Sequence, residues 1–268
     1  MLDRMDALQR LWDDALVDAA KANAAEENTA GDGGVDTQYS IDRNFSSAID
    51  AWNGVDNTVF RVGETSDALR EIGVQGRPIV WYGGKIAKIL RQHSGMTRAI
   101  IKQVPEILEH PVVILKSKSS ESRLAIFGEV RDTSGAPVTA ILELQPTNRG
   151  GELLDMNVIA SAYGKDSSPA RFIQSSGLIY LDPNKNRTDR WLRAVGLRLP
   201  SVARASYGSL GSVTYQDGKV KIESVPFAQY MQASEKGDMK NPGGSQNQRG
   251  VKGKLSKHRT ARHKSHFQ

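Results

Sequence analysis

The segment RLAIFGEVRDTSGAPVTAILEL, residues 123–144, decides the architecture. Two apolar runs, Arg123–Val130 and Val138–Leu144, flank DTSGAP, whose Asp, Gly and Pro are the residues of a tight turn. The pattern predicts a β-hairpin. Working outward, Val112–Lys116 (VVILK) reads as a strand before it and Leu153–Tyr163 (LLDMNVIASAY) as a strand after it. Short connections between consecutive strands favour an antiparallel meander, because parallel pairing needs a long crossover. In the last strand Leu154, Met156, Val158 and Ala160 alternate with Asp155, Asn157, Ile159, Ser161 and Tyr163. One face is expected to pack on helices and the other to line a cleft.

The helices are expected upstream. From Lys85 to about Val104, Ile86, Ile89, Leu90 and His93 fall on one helical face, with a break at Ser94–Gly95 and a stop at Pro105. Glu64–Gly73 reads as a short helix, with Thr65 or Ser66 as cap and Gly73 as terminator. VFRV (59–62) and RPIVWY (77–82) read as extended segments, and Ile41, Phe45, Ile49 and Trp52 recur at helical steps. The expected fold class is α+β: N-terminal helices packed on a four-stranded antiparallel sheet. Its core spans about 59–163 of a domain at 39–200. After Tyr163 the pattern gives a helix, a short strand and a helix carrying Trp191 and Leu192. Residues 201–233 form an accessory segment with weak strand signals, SVTY and KVKIE.

The ends have a different composition. Leu2, Met5, Leu8, Trp12 and Leu16 predict a helix over residues 1–25, either an interaction element or an accessory helix packed on the main domain. Residues 26–38, EENTAGDGGVDTQ, read as an acidic flexible linker. From 234 onward almost nothing is apolar, the composition of a disordered tail. Hydrophobic residues make up 38% of the 268, below the roughly 45–50% of a fully globular chain. The net charge of +6 is concentrated at one end: residues 235–268 hold nine Lys/Arg and two acids, and the other 234 hold 27 Lys/Arg and 28 acids. Lys252, Lys254, Lys257, Arg259, Arg262 and Lys264 can therefore bind a polyanion by counterion release. The alternative is a solvated tail that binds nothing specifically.

The absence of Cys excludes disulfides, thiolate metal sites and a cysteine nucleophile. No apolar run approaches the roughly 20 residues of a membrane helix. The start, MLDRMDALQRLWDD, has acids where a secretory signal has a basic start and an apolar centre. No membrane partner is expected. No phosphate loop, HExxH, nucleophile elbow or GxGxxG is present, so neither a cofactor nor a metal is expected. Of five His, only His93 and His110 lie outside the tail, and imidazole is the commonest general acid/base near neutral pH. His93 is either that group or a structural residue aligned with Ile86 and Leu90; His110, before Pro111, reads as structural. Ser161 and Tyr163 can reach one cleft. Lys116, Lys118 and Arg123 are either phosphate ligands or solvated loop charges, and Gly83–Gly84 reads as a turn.

Taken together, GETSDALREIGV (63–74), a helix ending in His93, QVPEILEHPVVILKS (103–117), the hairpin and IASAY (159–163) resemble the C-terminal domain of phage MuF-type proteins. They also resemble nuclease-like domains of mobile-element polyvalent proteins, in the barnase/EndoU/colicin/RelE-like superfamily. The resemblance spans about residues 59–200, and its markers are Pro105–Pro111 (PEIL-x-x-P) and Ser161–Tyr163 (SAY). It implies metal-independent RNA cleavage by 2′-hydroxyl attack. In that reading His93 is the acid/base, Lys116 or Arg98 holds the phosphate, with Arg123 as a further phosphate ligand, Ser161 donates a hydrogen bond, and Tyr163 stacks on a base or assists proton transfer. The implied partners are RNA, a phage structural protein engaged by the N-terminal helix or the tail, and an immunity protein. The implied location is a virion or the host bacterial cytoplasm. A non-enzymatic virion or packaging protein that binds nucleic acid through its tail is the competing expectation.

Overall fold

A computed structural model describes residues 40–148, 150–165, 168–199 and 207–236. The expected N-terminal helix, the acidic linker and all six tail cations lie outside the described residues. In chain order the elements begin with α1 (Phe45–Ala51), β1 (Val59–Glu64), α2 (Asp67–Glu71), β2 (Pro78–Tyr82), α3 (Gly83–Gln92), α4 (Arg98–Ile101) and α5 (Val104–Glu109). Next come β3 (Val113–Lys116), β4 (Arg123–Arg131), β5 (Pro137–Glu143), β6 (Asn157–Gly164), α6 (Pro169–Gln174), β7 (Gly177–Leu181) and α7 (Lys185–Ala194). The last are β8 (Gly208–Ser209), β9 (Ser212–Gln216), β10 (Lys219–Glu223), β11 (Val225–Pro226) and α8 (Phe227–Lys236).

The fold is mixed α and β, but its sheet is not the four-stranded antiparallel one expected. Strands β3, β4, β5 and β6 do pair antiparallel in sequence order. They form the middle of a nine-stranded sheet, ordered β1-β2-β6-β5-β4-β3-β7-β11 with β8 on β7. One junction, β2 with β6, is parallel. The long stretch between those two strands, which holds three helices and three strands, provides the crossover that parallel pairing needs. Strands β9 and β10 form a separate hairpin.

The central strands are buried on both faces, so the expectation of one open face holds only at one end. On β4, Leu124 and Ile126 point into a core with Leu69, Ile86, Ile101 and Ile107 of α2 to α5. Ala125 and Phe127 point the other way, against Trp191 and Leu192 of α7 and Phe227 and Tyr230 of α8. Such two-sided burial is what a near-continuous apolar run encodes. Truncating Phe127 or Trp191 to Ala would cost about 3–5 kcal/mol. The Trp191 indole also donates to the Gly128 carbonyl at 2.7 Å, tying α7 to β4.

Two local expectations are corrected. The predicted helix from Lys85 to Val104 is three short helices, and Pro105 stands in the first turn of α5, where a missing N–H costs nothing. Ser66 occupies the N-cap position of α2, yet its hydroxyl donates to the Leu108 carbonyl at 2.6 Å. Within the segment after 206, β8 and β11 pair with β7, and α8 ends at Lys236 with Ser234 buried.

Candidate functional site

Strand β2 pairs with β6 only at Ile79–Asn157 and Val80–Val158. The chain then enters α3, which packs beside the free half of β6. Gly83 begins this helix because a Cβ there would stand 2.6 Å from the Asp56 carbonyl oxygen. Gly83–Gly84 is therefore a helix start and not a simple turn. Lys85 lies in the first turn of α3 and His93 at its C-cap, where the His93 amide donates to the Ile89 carbonyl.

The simple alternation expected for β6 is broken by a register shift opposite Ile141 and Leu142, where Ile141 pairs with Ser161 and Leu142 with Ile159. Ala160 is the extra residue, as in a β-bulge. Ile159 and Ala162 consequently both face the helix-side core, and Ile159 is not on the face of Ser161 and Tyr163. The register then brings distant residues together. Arg123 lies opposite Glu143, Ile141 opposite Ser161, and Thr139 opposite Tyr163, all on the face of Ala125 and Phe127.

Two cavities meet at Tyr163. The first, about 300 Å³, is lined by Lys85, Lys118 and Arg123 together with Ser117, Ser119 and Ser161. Among the described residues no acid lines it. Arg123 Nη2 pairs with Glu143 Oε2 at 2.9 Å, while its buried Nε has no hydrogen-bond partner among the described residues. Lys118 Nζ donates to Ser175 Oγ at 2.7 Å. The second cavity, about 530 Å³, is lined by His93, Gly95, Asp132, Gly164 and Lys165, with polar Gln92, Ser94, Thr133 and Ser134.

Tyr163 forms part of both linings. Its ring stacks on His93, with centroids 5.3 Å apart and planes at 20°. The Lys165 ammonium lies 6.0 Å from the Tyr163 ring centre and 5.1 Å from that of Phe172. Burial pushes the Tyr163 phenol up, which keeps it a neutral hydrogen-bond donor. For Asp132, partial burial alone would raise the carboxyl. Hydrogen bonds from the Ser134 hydroxyl and the Ala136 and Ser134 amides outweigh this and hold it below the ordinary carboxylate value.

Of the residues singled out from the sequence, His93, Lys118, Arg123, Ser161 and Tyr163 converge here. Lys116 does not. It is in register with Leu124 on the opposite face of the sheet, and its ammonium pairs with Glu121 at 2.6 Å. Arg98 is also elsewhere: it donates to the Ile49 and Trp52 carbonyls at 3.0 and 2.8 Å and lies 5.3 Å from the Trp52 ring centre. It is a tie for α1. His110 offers its carbonyl to Arg187 at 2.8 Å. Sequence reasoning passed over Lys85, Asp132 and Lys165. Lys165 stands two residues after Tyr163, and Asp132 opens the hairpin turn, so only proximity to recognised elements marked them.

Among the described residues no group of three His, Asp or Glu is placed to hold a metal ion, and no helix is long and apolar enough to cross a membrane. Residues 85–188 match the family model of the phage MuF C-terminal domain. This supports a phage MuF-type domain in that part of the chain, and the match contains every residue that lines the two cavities. No curated protein and no solved structure matches the chain.

Proposed function

We propose that the MuF-type region is a ribonuclease-like effector that cleaves RNA without a metal, by attack of the 2′-hydroxyl on the neighbouring phosphorus. The observation that carries this reading is the His93–Tyr163 stack, set between a cation- and hydroxyl-lined cavity and a second, polar one. The reaction forms the bond from the 2′-oxygen to phosphorus and breaks the bond from phosphorus to the 5′-oxygen. A base takes the 2′-hydroxyl proton, and an acid returns a proton to the leaving 5′-oxygen. His93 supplies one of these transfers. The scissile phosphate occupies the cationic cavity, where Arg123, Lys118 and Lys85 stabilise the extra charge of the transition state. Ser161 and the neutral Tyr163 phenol donate hydrogen bonds to it. Relative to the roles implied by resemblance, Lys118 and Lys85 replace Lys116 and Arg98.

The protein would act in a host bacterial cytoplasm, delivered with a virion, and an immunity protein would have to cover the same cleft. A second reading rests on the charge distribution: with nine Lys/Arg in residues 235–268, the chain can serve as a virion or packaging protein that binds nucleic acid through its tail. The substitution His93→Ala separates the two. The enzymatic reading expects RNA cleavage and growth inhibition to be abolished while the melting temperature stays nearly unchanged. A variant that fails to fold would instead make His93 a structural residue.

A further inference from the structure

A third cavity, of about 410 Å³, lies outside the matched residues and shares no lining residue with the two at Tyr163. It is a groove between α1 and the start of β1. Phe45, Trp52 and Phe60 form its floor, with the Phe60 ring edge-on to the other two at centroid distances of 6.4 and 5.6 Å. Half-buried Ala48 and Val59 and exposed Ala51 form its apolar walls. The end of α1 is fixed by Arg98, which donates to the Ile49 and Trp52 carbonyls at 3.0 and 2.8 Å. In the adjoining loop, Asn53 Oδ1 accepts from the Val55 and Asp56 amides at 2.9 and 3.1 Å. That loop carries Val55, whose side chain is 80% exposed. The groove is thus preformed, and among the described residues nothing fills it.

The chain enters the described body beside this groove. The Asp42 amide donates to the Val62 carbonyl at 2.9 Å, and the Glu64 amide to the Ser40 carbonyl at 2.7 Å. Residues 40–42 therefore lie antiparallel along the edge of β1, with Ile41 opposite Gly63, and Asp42 itself lines the groove. Upstream stands the one strongly amphipathic segment that the cleft leaves without a role. At roughly 100° per residue, Leu2, Met5, Leu8, Trp12 and Leu16 fall within an arc of about 120°, and Asp14 lies opposite. The intervening residues 26–38 can span up to about 45 Å, so the reach is ample. A tether of this length also holds the segment at an effective concentration on the order of 1 mM. We infer that the helix expected over residues 1–25 docks by its apolar face into the α1–β1 groove of its own chain. Docked there, that face is closed to a phage structural protein, which would have to displace it or engage the tail. The inference is independent of what the cleft around Tyr163 does.

The absence of Cys from the sequence makes disulfide trapping in the full-length chain a clean test. Ala51→Cys places a thiol on the groove wall at an exposed position, so folding should be undisturbed. It is combined in turn with Met5→Cys, Leu8→Cys or Trp12→Cys on the apolar face, and with Asp14→Cys on the polar face. A disulfide needs Cα atoms roughly 4.4–6.8 Å apart, which only a seated helix face supplies persistently. At least one apolar-face pair is expected to close within the chain about tenfold or more faster than the Asp14 pair. Adding Trp12→Asp to the Leu8→Cys pair, or Leu8→Asp to the Trp12→Cys pair, should remove that advantage. Equal rates from both helix faces overturn the docking, because a tether alone then explains the encounters. Thiols that stay reduced overturn it too and leave the groove to another partner. Disulfides formed only between chains give the groove to a second copy, which also overturns it.

Discussion

The two cavities beside Tyr163 share a wall and differ in charge. Among the described residues the smaller has three cations, three serine hydroxyls and no acid, and the larger sets Asp132 against Lys165 and His93. The contrast follows from register. Arg123, Ser161 and Tyr163 share a sheet face because β4, β5 and β6 pair in one alignment, with a single extra residue at Ala160. Asp132 enters the other cavity through the turn of the same hairpin. One sheet face thereby borders a cationic cavity at one end and a cavity of mixed charge at the other.

Substitutions in the cationic cavity sharpen this comparison most. Apart from His93, the largest loss is expected for Arg123→Ala, about 10²–10³-fold in cleavage rate, the range for removing one group that stabilises transition-state charge. Glu143→Gln is the control: it removes the Arg123 partner but keeps the cation, so the rate should stay close to wild type. Loss of this half-exposed pair should change stability by only about 0–1 kcal/mol.

Tyr163→Phe comes next, with a drop of about tenfold, from the loss of one hydrogen bond of roughly 1.5 kcal/mol to a charged group. Because burial raises the phenol, the residue is neutral across the working range. The same drop is therefore expected at about pH 6 and at about pH 9. A drop that vanishes at the higher pH would mean that the phenol titrates during catalysis. Lys85→Ala should act more weakly, raising KM several-fold, and its effect should fade as salt is added. Smallest is Lys116→Ala, expected to leave activity within about twofold, since its exposed pair with Glu121 is worth about 0–1 kcal/mol. A large loss there would break the assignment of phosphate binding to the other face of the sheet.

Much of this arrangement could be read from residues alone. DTSGAP marked the hairpin, the periodicity of Ile86, Ile89 and Leu90 marked the helix that ends at His93, and SAY placed two hydroxyls on one face. The grouping of Ile159 with those hydroxyls failed because a bulge costs one residue of register, and nothing local in IASAY announces it. The parallel joint of β2 with β6 was illegible for a related reason: pairing between segments far apart in sequence depends on packing, not on turn chemistry. That joint lays α3 beside β6, which is why Lys85 went unrecognised. Lys116 lies on the other face of the sheet from Ser161 and Tyr163, as the alternation of β3 implies, since Lys116 falls in step with Ile114 and Val113 with Leu115.

The central claim is that the cleft around Tyr163 cleaves RNA by its own side chains. It is tested most directly by incubating the purified full-length protein with total RNA in EDTA and identifying the product ends. The account predicts fragments ending in 2′,3′-cyclic phosphates with 5′-hydroxyl partners, at a rate unaffected by the chelator. Intact RNA, retained only by binding that weakens as salt is raised, would contradict it and leave the tail as the functional element.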